Sequence, residues 1–193
     1  WEARNRAQGL TPDIEVYIEK RQNTGAMLLA LDFIDLTEHI SITPEMYSSS
    51  QVQLLLRVTN NAVCWSNDIL SLEKEIARGD LNNLVLAVRQ QHNCPLQEAI
   101  ERVNAMITSE IKLFETLAAQ LPTLSPAYTQ ELQKYVAAMQ AWIRGNLDWS
   151  IETQRYSHIE HPPTGKGLSY LEDLLPDDPA PSTGNDDIQG NGD

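Results

Sequence analysis

Cysteine, positive charge and long apolar runs are all scarce in this 193-residue chain. Cys64 and Cys94 are the only cysteines. Two such distant residues make neither a disulfide framework nor a CxxC metal pair, and free thiols in a cytoplasmic protein are the simple reading. Lysine and arginine number 14 against 27 acidic residues, giving a net charge of −13. No basic cluster stands out against that field, which disfavours nucleic acid and anionic membrane surfaces as partners. No apolar run reaches the roughly 18 residues that a membrane span needs, so no stable membrane anchor is expected, and no secretory signal is visible. Strand-like alternation and internal repeats are missing too. The chain begins at Trp1 rather than methionine, which fits a piece of a longer domain.

What is present is helical spacing. The 41% hydrophobic content suffices for one sizeable core or part of a larger one. Thr11-Pro12 reads as an N-cap with proline at the first helical position. The helix that follows is expected to break near Asn23-Thr24-Gly25. The apolar stretch from Ala26 to Leu36, holding Asp32 and Asp35, predicts a helix buried on most sides. Thr43-Pro44 starts another helix, interrupted near Ser48-Ser49-Ser50, and a long one runs from Gln51 to Arg78 and stops at Gly79. Shorter and longer helices are expected over 81–91, 96–121 and from Pro126, with Gly145-Asn146 as punctuation. Residues 1–175 are expected to form one helical portion of a domain, and 176–193, rich in Pro, Gly, Ser, Asn and Asp, a disordered and dispensable acidic tail.

The long helix carries the chemistry. In Asn67-Asp68-Ile69-Leu70-Ser71-Leu72-Glu73-Lys74-Glu75, the residues Asn67, Ser71 and Glu75 fall at about 0°, 40° and 80° around the axis, and Lys74 near −20°. One face thus bears an amide, a hydroxyl and a carboxylate, the hard oxygen donors that Mg²⁺ prefers, beside an ammonium suited to a phosphate. Taken alone, such a quartet is more often a solvated helix face. Asp68, about 100° away, reads as a local cap or pair, and Glu73 as solvated. Trp65, about 160° from Asn67, reads as core. His39, His92, His158 and His161 lack metal-ligand spacing.

Two further pieces fall in register with this face. Arg21 stands 46 positions before Asn67, and Arg155-Tyr156 closes the run WSIETQRY. Together with NDILSLEKE and the following ARGD and NNLV, they resemble the bacterial-type class I terpene synthases over roughly residues 10–160. The resemblance implies an all-α isoprenoid synthase bundle, of which this chain looks like the C-terminal part of the catalytic domain, lacking the N-terminal helices. It implies that Asn67, Ser71 and Glu75 chelate one Mg²⁺ of the three expected in the complete enzyme. Arg21, Lys74, Arg155 and Tyr156 would contact the diphosphate of a prenyl diphosphate. Arg21, Thr24 and Gly25 would act as the induced-fit trigger, the Gly25 carbonyl facing the allylic carbon. Trp149 would line the pocket as a cation-stabilising aromatic, with Asn146 and Phe33 as weaker candidates. The implied activity is Mg²⁺-dependent cyclisation, with farnesyl diphosphate as the expected substrate, and a homodimer stays open.

The aspartate-rich D-D-x-x-D motif of that family has no match here; Asp32-Phe33-Ile34-Asp35 lacks the doubled aspartate. Little or no cyclase activity is therefore expected of these 193 residues alone. Prenyl chain elongation would need a second aspartate-rich motif where Asn67, Ser71 and Glu75 stand. A non-catalytic helical remnant or interaction module is the remaining alternative.

Overall fold

The computed structural model describes residues 1–121, 126–153 and 156, all within one compact unit spanning residues 1–161. Nine α-helices and no strand occur among them. They are α1 (Glu2–Gln8), α2 (Ile14–Thr24), α3 (Met27–Asp32), α4 (Ile34–Thr37), α5 (Pro44–Ser48), α6 (Ser50–Arg78), α7 (Leu84–His92), α8 (Leu96–Ala119) and α9 (Pro126–Glu152).

The centre of the assembly is α6, 29 residues and therefore about 43 Å long. Ser49 caps its start by accepting from the Val52 N–H, and Gly79, at φ 71°, ends it in the left-handed conformation that glycine adopts without penalty. Its middle is buried all round, from Val58 to Trp65, because α8 and α9 pack on it extensively and α2, α3, α5 and α7 also touch it. Trp65 is core, as its position on the helix predicts. The buried amides of α6 at Asn60 and Asn61 are hydrogen-bonded. Asn60 donates to the Gln22 carbonyl at 2.8 Å and Asn61 to Glu110 at 3.3 Å, while Gln22 donates to Asn61 at 3.2 Å. This polar layer clamps the end of α2 onto α6.

Several expectations need correction. Thr11 does not cap α2. Asp13 is the N-cap residue and Ile14 the first helical one, so Pro12 lies outside the helix. The Gly145-Asn146 pair does not interrupt α9, which continues to Glu152 because the pair fits the helix without a break. The apolar stretch after Gly25 is not buried on most sides. Met27, Leu31 and Ile34 face the core, whereas Leu28, Leu29, Phe33 and Leu36 are exposed. Only one side of α3 and α4 meets packing partners among the described residues, on α2, α6 and α9. The expected break itself is present, with α2 ending at Thr24 and α3 starting at Met27. A short helix before α2, not anticipated from spacing, docks through an Asn5–Asn82 hydrogen bond of 2.9 Å and an Arg6–Asp80 ion pair of 2.7 Å. No helix among the described residues is long and apolar enough to cross a membrane.

Candidate metal and diphosphate site

The helical spacing of Asn67, Ser71 and Glu75 becomes a connected face. The Ser71 hydroxyl lies 2.7 Å from both the Asn67 main-chain carbonyl and Glu75 Oε1, which share its one proton. Glu75 Oε2 accepts from Asn83 Nδ2 at 2.8 Å. Burial pushes the Glu75 carboxyl up, and the hydrogen bonds from Asn83 and Ser71 pull it back. An amide, a hydroxyl and a carboxylate along two turns match the donor chemistry of a hard divalent cation. Glu73 is exposed, as expected.

Arg21 reaches this face from α2. Its Nη2 lies 3.2 Å from Asn67 Oδ1 and 2.8 Å from Asp68 Oδ1. Its Nε–H is buried and has no acceptor among the described residues. Asp68 is not a local cap, contrary to the sequence expectation; it is the buried hub of the α2–α6 contact. Its Oδ2 accepts from the Tyr17 hydroxyl at 2.7 Å and from the Leu84 N–H at 3.2 Å. Tyr17 and Arg21 are one turn apart on α2, so both grip the same carboxylate. Burial pushes the Asp68 carboxyl up, opposed chiefly by the Arg21 charge. For Arg21, burial is the largest influence and disfavours the charge, but Asp68, Tyr17, Cys64 and Glu75 together outweigh it and hold the guanidinium above its ordinary range. The same burial raises the Tyr17 hydroxyl.

Tyr156 closes the face from the other side. Its Oη accepts from Asn67 Nδ2 at 2.6 Å, and the Lys74 ammonium lies 5.7 Å from its ring centroid. Trp149, 48% exposed, meets the Tyr156 ring edge-on at 6.3 Å. Trp149 also borders an apolar cavity of about 520 Å³ between α4 and α9, whose wall includes Ile34, Ala138, Trp142 and Asn146. Phe33 is half-exposed and does not line it. Arg155 lies outside the described residues.

Gly25 follows α2 and sits directly on α6. A Cβ there would come within 2.3 Å of Cys64 Sγ and 3.2 Å of the Arg21 carbonyl. Arg21, Thr24 and Gly25 are thus on one continuous end of α2, whose last hydrogen bond runs from the Gly25 N–H to the Arg21 carbonyl at 3.0 Å. Burial pushes the Cys64 thiol up to about 11.

Spacing alone had not singled out Tyr17 or Asn83. Tyr17 gives no polar signal in the sequence, because it looks like any core aromatic. Asn83 sits in a turn, where asparagine is common for local reasons.

An all-α bundle in which this oxygen-donor helix also bears a lysine and faces an arginine and a tyrosine narrows the class to helical proteins of metal and diphosphate chemistry. The family model for terpene synthase family 2, C-terminal metal binding, matches residues 1–112. A (+)-T-muurolol synthase that cyclises (2E,6E)-farnesyl diphosphate, from Roseiflexus castenholzii, is 38% identical over 157 residues, covering 81% of this chain and 48% of that protein. A germacrene A synthase from Nostoc punctiforme is 33% identical over 159 residues, covering 82% of this chain and 49% of its own length. The crystal structure of a linalool/nerolidol synthase from Streptomyces clavuligerus with 2-fluorogeranyl diphosphate superposes with a TM-score of 0.71 at 26% identity, covering 77% of this chain and 52% of that one. The fold is also that of a 2-methylisoborneol synthase from Streptomyces coelicolor, solved with Mg²⁺ and geranyl-S-thiolodiphosphate, at a TM-score of 0.71 and 22% identity. The chain belongs to the terpene synthase family, with the class I isoprenoid synthase fold. It spans about half the length of the curated relatives it matches.

Proposed function

We propose that this chain supplies one wall of the active site of a Mg²⁺-dependent terpene cyclase. The reaction ionises a prenyl diphosphate, farnesyl diphosphate by preference, to diphosphate and a cyclic sesquiterpene. The supporting observation is the convergence of Arg21 and Tyr156, from distant parts of the sequence, on the Asn67–Ser71–Glu75 face that also carries Lys74. Preference for a C15 chain is supported by the farnesyl-cyclising relative.

The residues divide the work. Asn67, Ser71 and Glu75 would hold one Mg²⁺, of three in the complete enzyme, whose charge neutralises the departing diphosphate. Arg21, Lys74, Arg155 and Tyr156 would bind and orient the diphosphate, and the Arg21 Nε–H, without an acceptor among the described residues, is a donor that such an anion can use. Thr24 and Gly25 would transmit movement of Arg21 to the end of α2. Trp149, next to Tyr156 and on the apolar cavity, would shield a carbocation from water and stabilise it through its ring face, by roughly 0.5–2 kcal/mol.

The test is incubation of the product of the complete reading frame with C10, C15 and C20 diphosphates and Mg²⁺, with volatile products identified by mass spectrometry. Cyclic C15 products are expected. Glu75→Gln is expected to lower turnover by about 10²-fold or more, since a charged oxygen donor is lost from the metal. Full activity of Glu75→Gln would refute the metal role. The 193 residues alone are expected to turn over little, because the aspartate-rich run is absent from them.

A further inference from the structure

Asn83 makes more bonds than its position requires. It is the N-cap residue of α7 and is fully buried. Its Oδ1 accepts from the Val85 N–H at 2.8 Å, which caps the helix. Its Nδ2 donates twice, to the Asp68 main-chain carbonyl at 2.7 Å and to Glu75 Oε2 at 2.8 Å. Capping alone is served about equally well by Asp, Ser or Asn. Holding a carboxylate and a carbonyl at the same time needs two N–H donors on the side chain that also carries the acceptor, and only an amide of this length has both. The neighbouring Asn82 turns away from this face. Its amide bonds to Asp80 and to the Glu2 carbonyl, and accepts from Asn5.

Together with Ser71 on Oε1, Asn83 therefore fixes both oxygens of Glu75 before any cation arrives. It also joins Glu75 to the turn of α6 that bears Asn67, through the carbonyl of Asp68. We propose that Asn83 is a positioning residue of the divalent-metal site, holding the Glu75 carboxylate in its ligating orientation. The proposal rests on the metal reading of Asn67, Ser71 and Glu75. A carboxylate held in advance loses less rotamer freedom when it binds the cation, and outer-shell partners of this kind typically contribute 10- to 100-fold to metal affinity.

The experiment is a Mn²⁺ titration followed by electron paramagnetic resonance, with inorganic diphosphate present, on the product of the complete reading frame. Asn83→Ser keeps a capping oxygen and removes both amide N–H donors, its one short O–H being no substitute for the pair. Asn83→Asp keeps the cap and the size but sets a carboxylate against Glu75. Asn82→Ser serves as a control in the same turn, and Glu75→Gln as a control of the metal reading. Both Asn83 variants are expected to bind Mn²⁺ about 10- to 100-fold more weakly, with Asn82→Ser at parental affinity, and Asn83→Asp is expected to melt below Asn83→Ser because it buries a second carboxylate beside Glu75. Parental Mn²⁺ affinity in both Asn83 variants, with Glu75→Gln impaired, would reduce Asn83 to a cap and leave the metal reading intact. Parental affinity in Glu75→Gln as well would remove the metal reading and the proposal together. Equal weakening by Asn82→Ser would mark general damage to the turn and also overturn the proposal.

Discussion

Gly25 is a glycine for a steric reason rather than a torsional one. Its φ of −73° is open to any residue, and the positive φ of the break falls on Ala26, at 58°. What excludes a side chain is Cys64 Sγ, 2.3 Å from where a Cβ would stand. Gly25→Ala is expected to destabilise the fold by about 1–3 kcal/mol through overpacking, measured by urea unfolding. Adding Cys64→Ala should recover most of that loss, since the sulfur is the principal obstacle. A glycine at a helix break was legible in the sequence; its partner Cys64, 39 positions on, was not. Asp68 makes a similar point. Its Arg21 ion pair is nearly solvent-free, so Asp68→Ala is expected to cost about 3–5 kcal/mol by leaving a buried guanidinium uncompensated. The Arg21→Ala/Asp68→Ala double variant should lose less than the sum of the singles, because it leaves no unpaired charge. Helical angle set Asp68 apart from Asn67, Ser71 and Glu75, yet it gave no sign of the arginine and tyrosine arriving from α2.

At the scale of elements, α6 was the most legible part of the chain. Its capping serine, its glycine stop and the stacking of Asn67, Ser71 and Glu75 all follow from local geometry with a period of 3.6 residues. The α9 helix was misread where Gly145 was taken as punctuation. Glycine disfavours a helix by only about 1 kcal/mol relative to alanine, which a 27-residue helix with tertiary packing overrides. Among the described residues, nothing beyond its chain neighbours and its own helix backbone lies within 4 Å of a Cβ added at Gly145. Gly145→Ala in this chain is accordingly expected to stabilise it by about 0.5–1 kcal/mol, seen as a raised melting temperature. The α3–α4 segment was misread in the opposite sense. Its composition says only that the residues are apolar, and burial requires a neighbour on each side.

For the whole molecule, the fold class and the family were within reach of the sequence, because short-range periodicity and ordered motifs carry both. The exposed apolar side of α3 and α4 and the open cavity bordered by Trp149 accompany a chain that spans about half the length of its relatives. The sequence by itself determined which oxygen donors share a helix face, since residues four apart must lie near one another on any α-helix. Only the tertiary structure decided what holds them. The Arg21–Asp68 pair, the Tyr156–Asn67 bond and the Asn83–Glu75 bond join different elements, and no local period specifies such a meeting. Packing of α2 and α7 against α6 creates them. That packing turns a row of polar residues into a candidate site with its ligands already oriented.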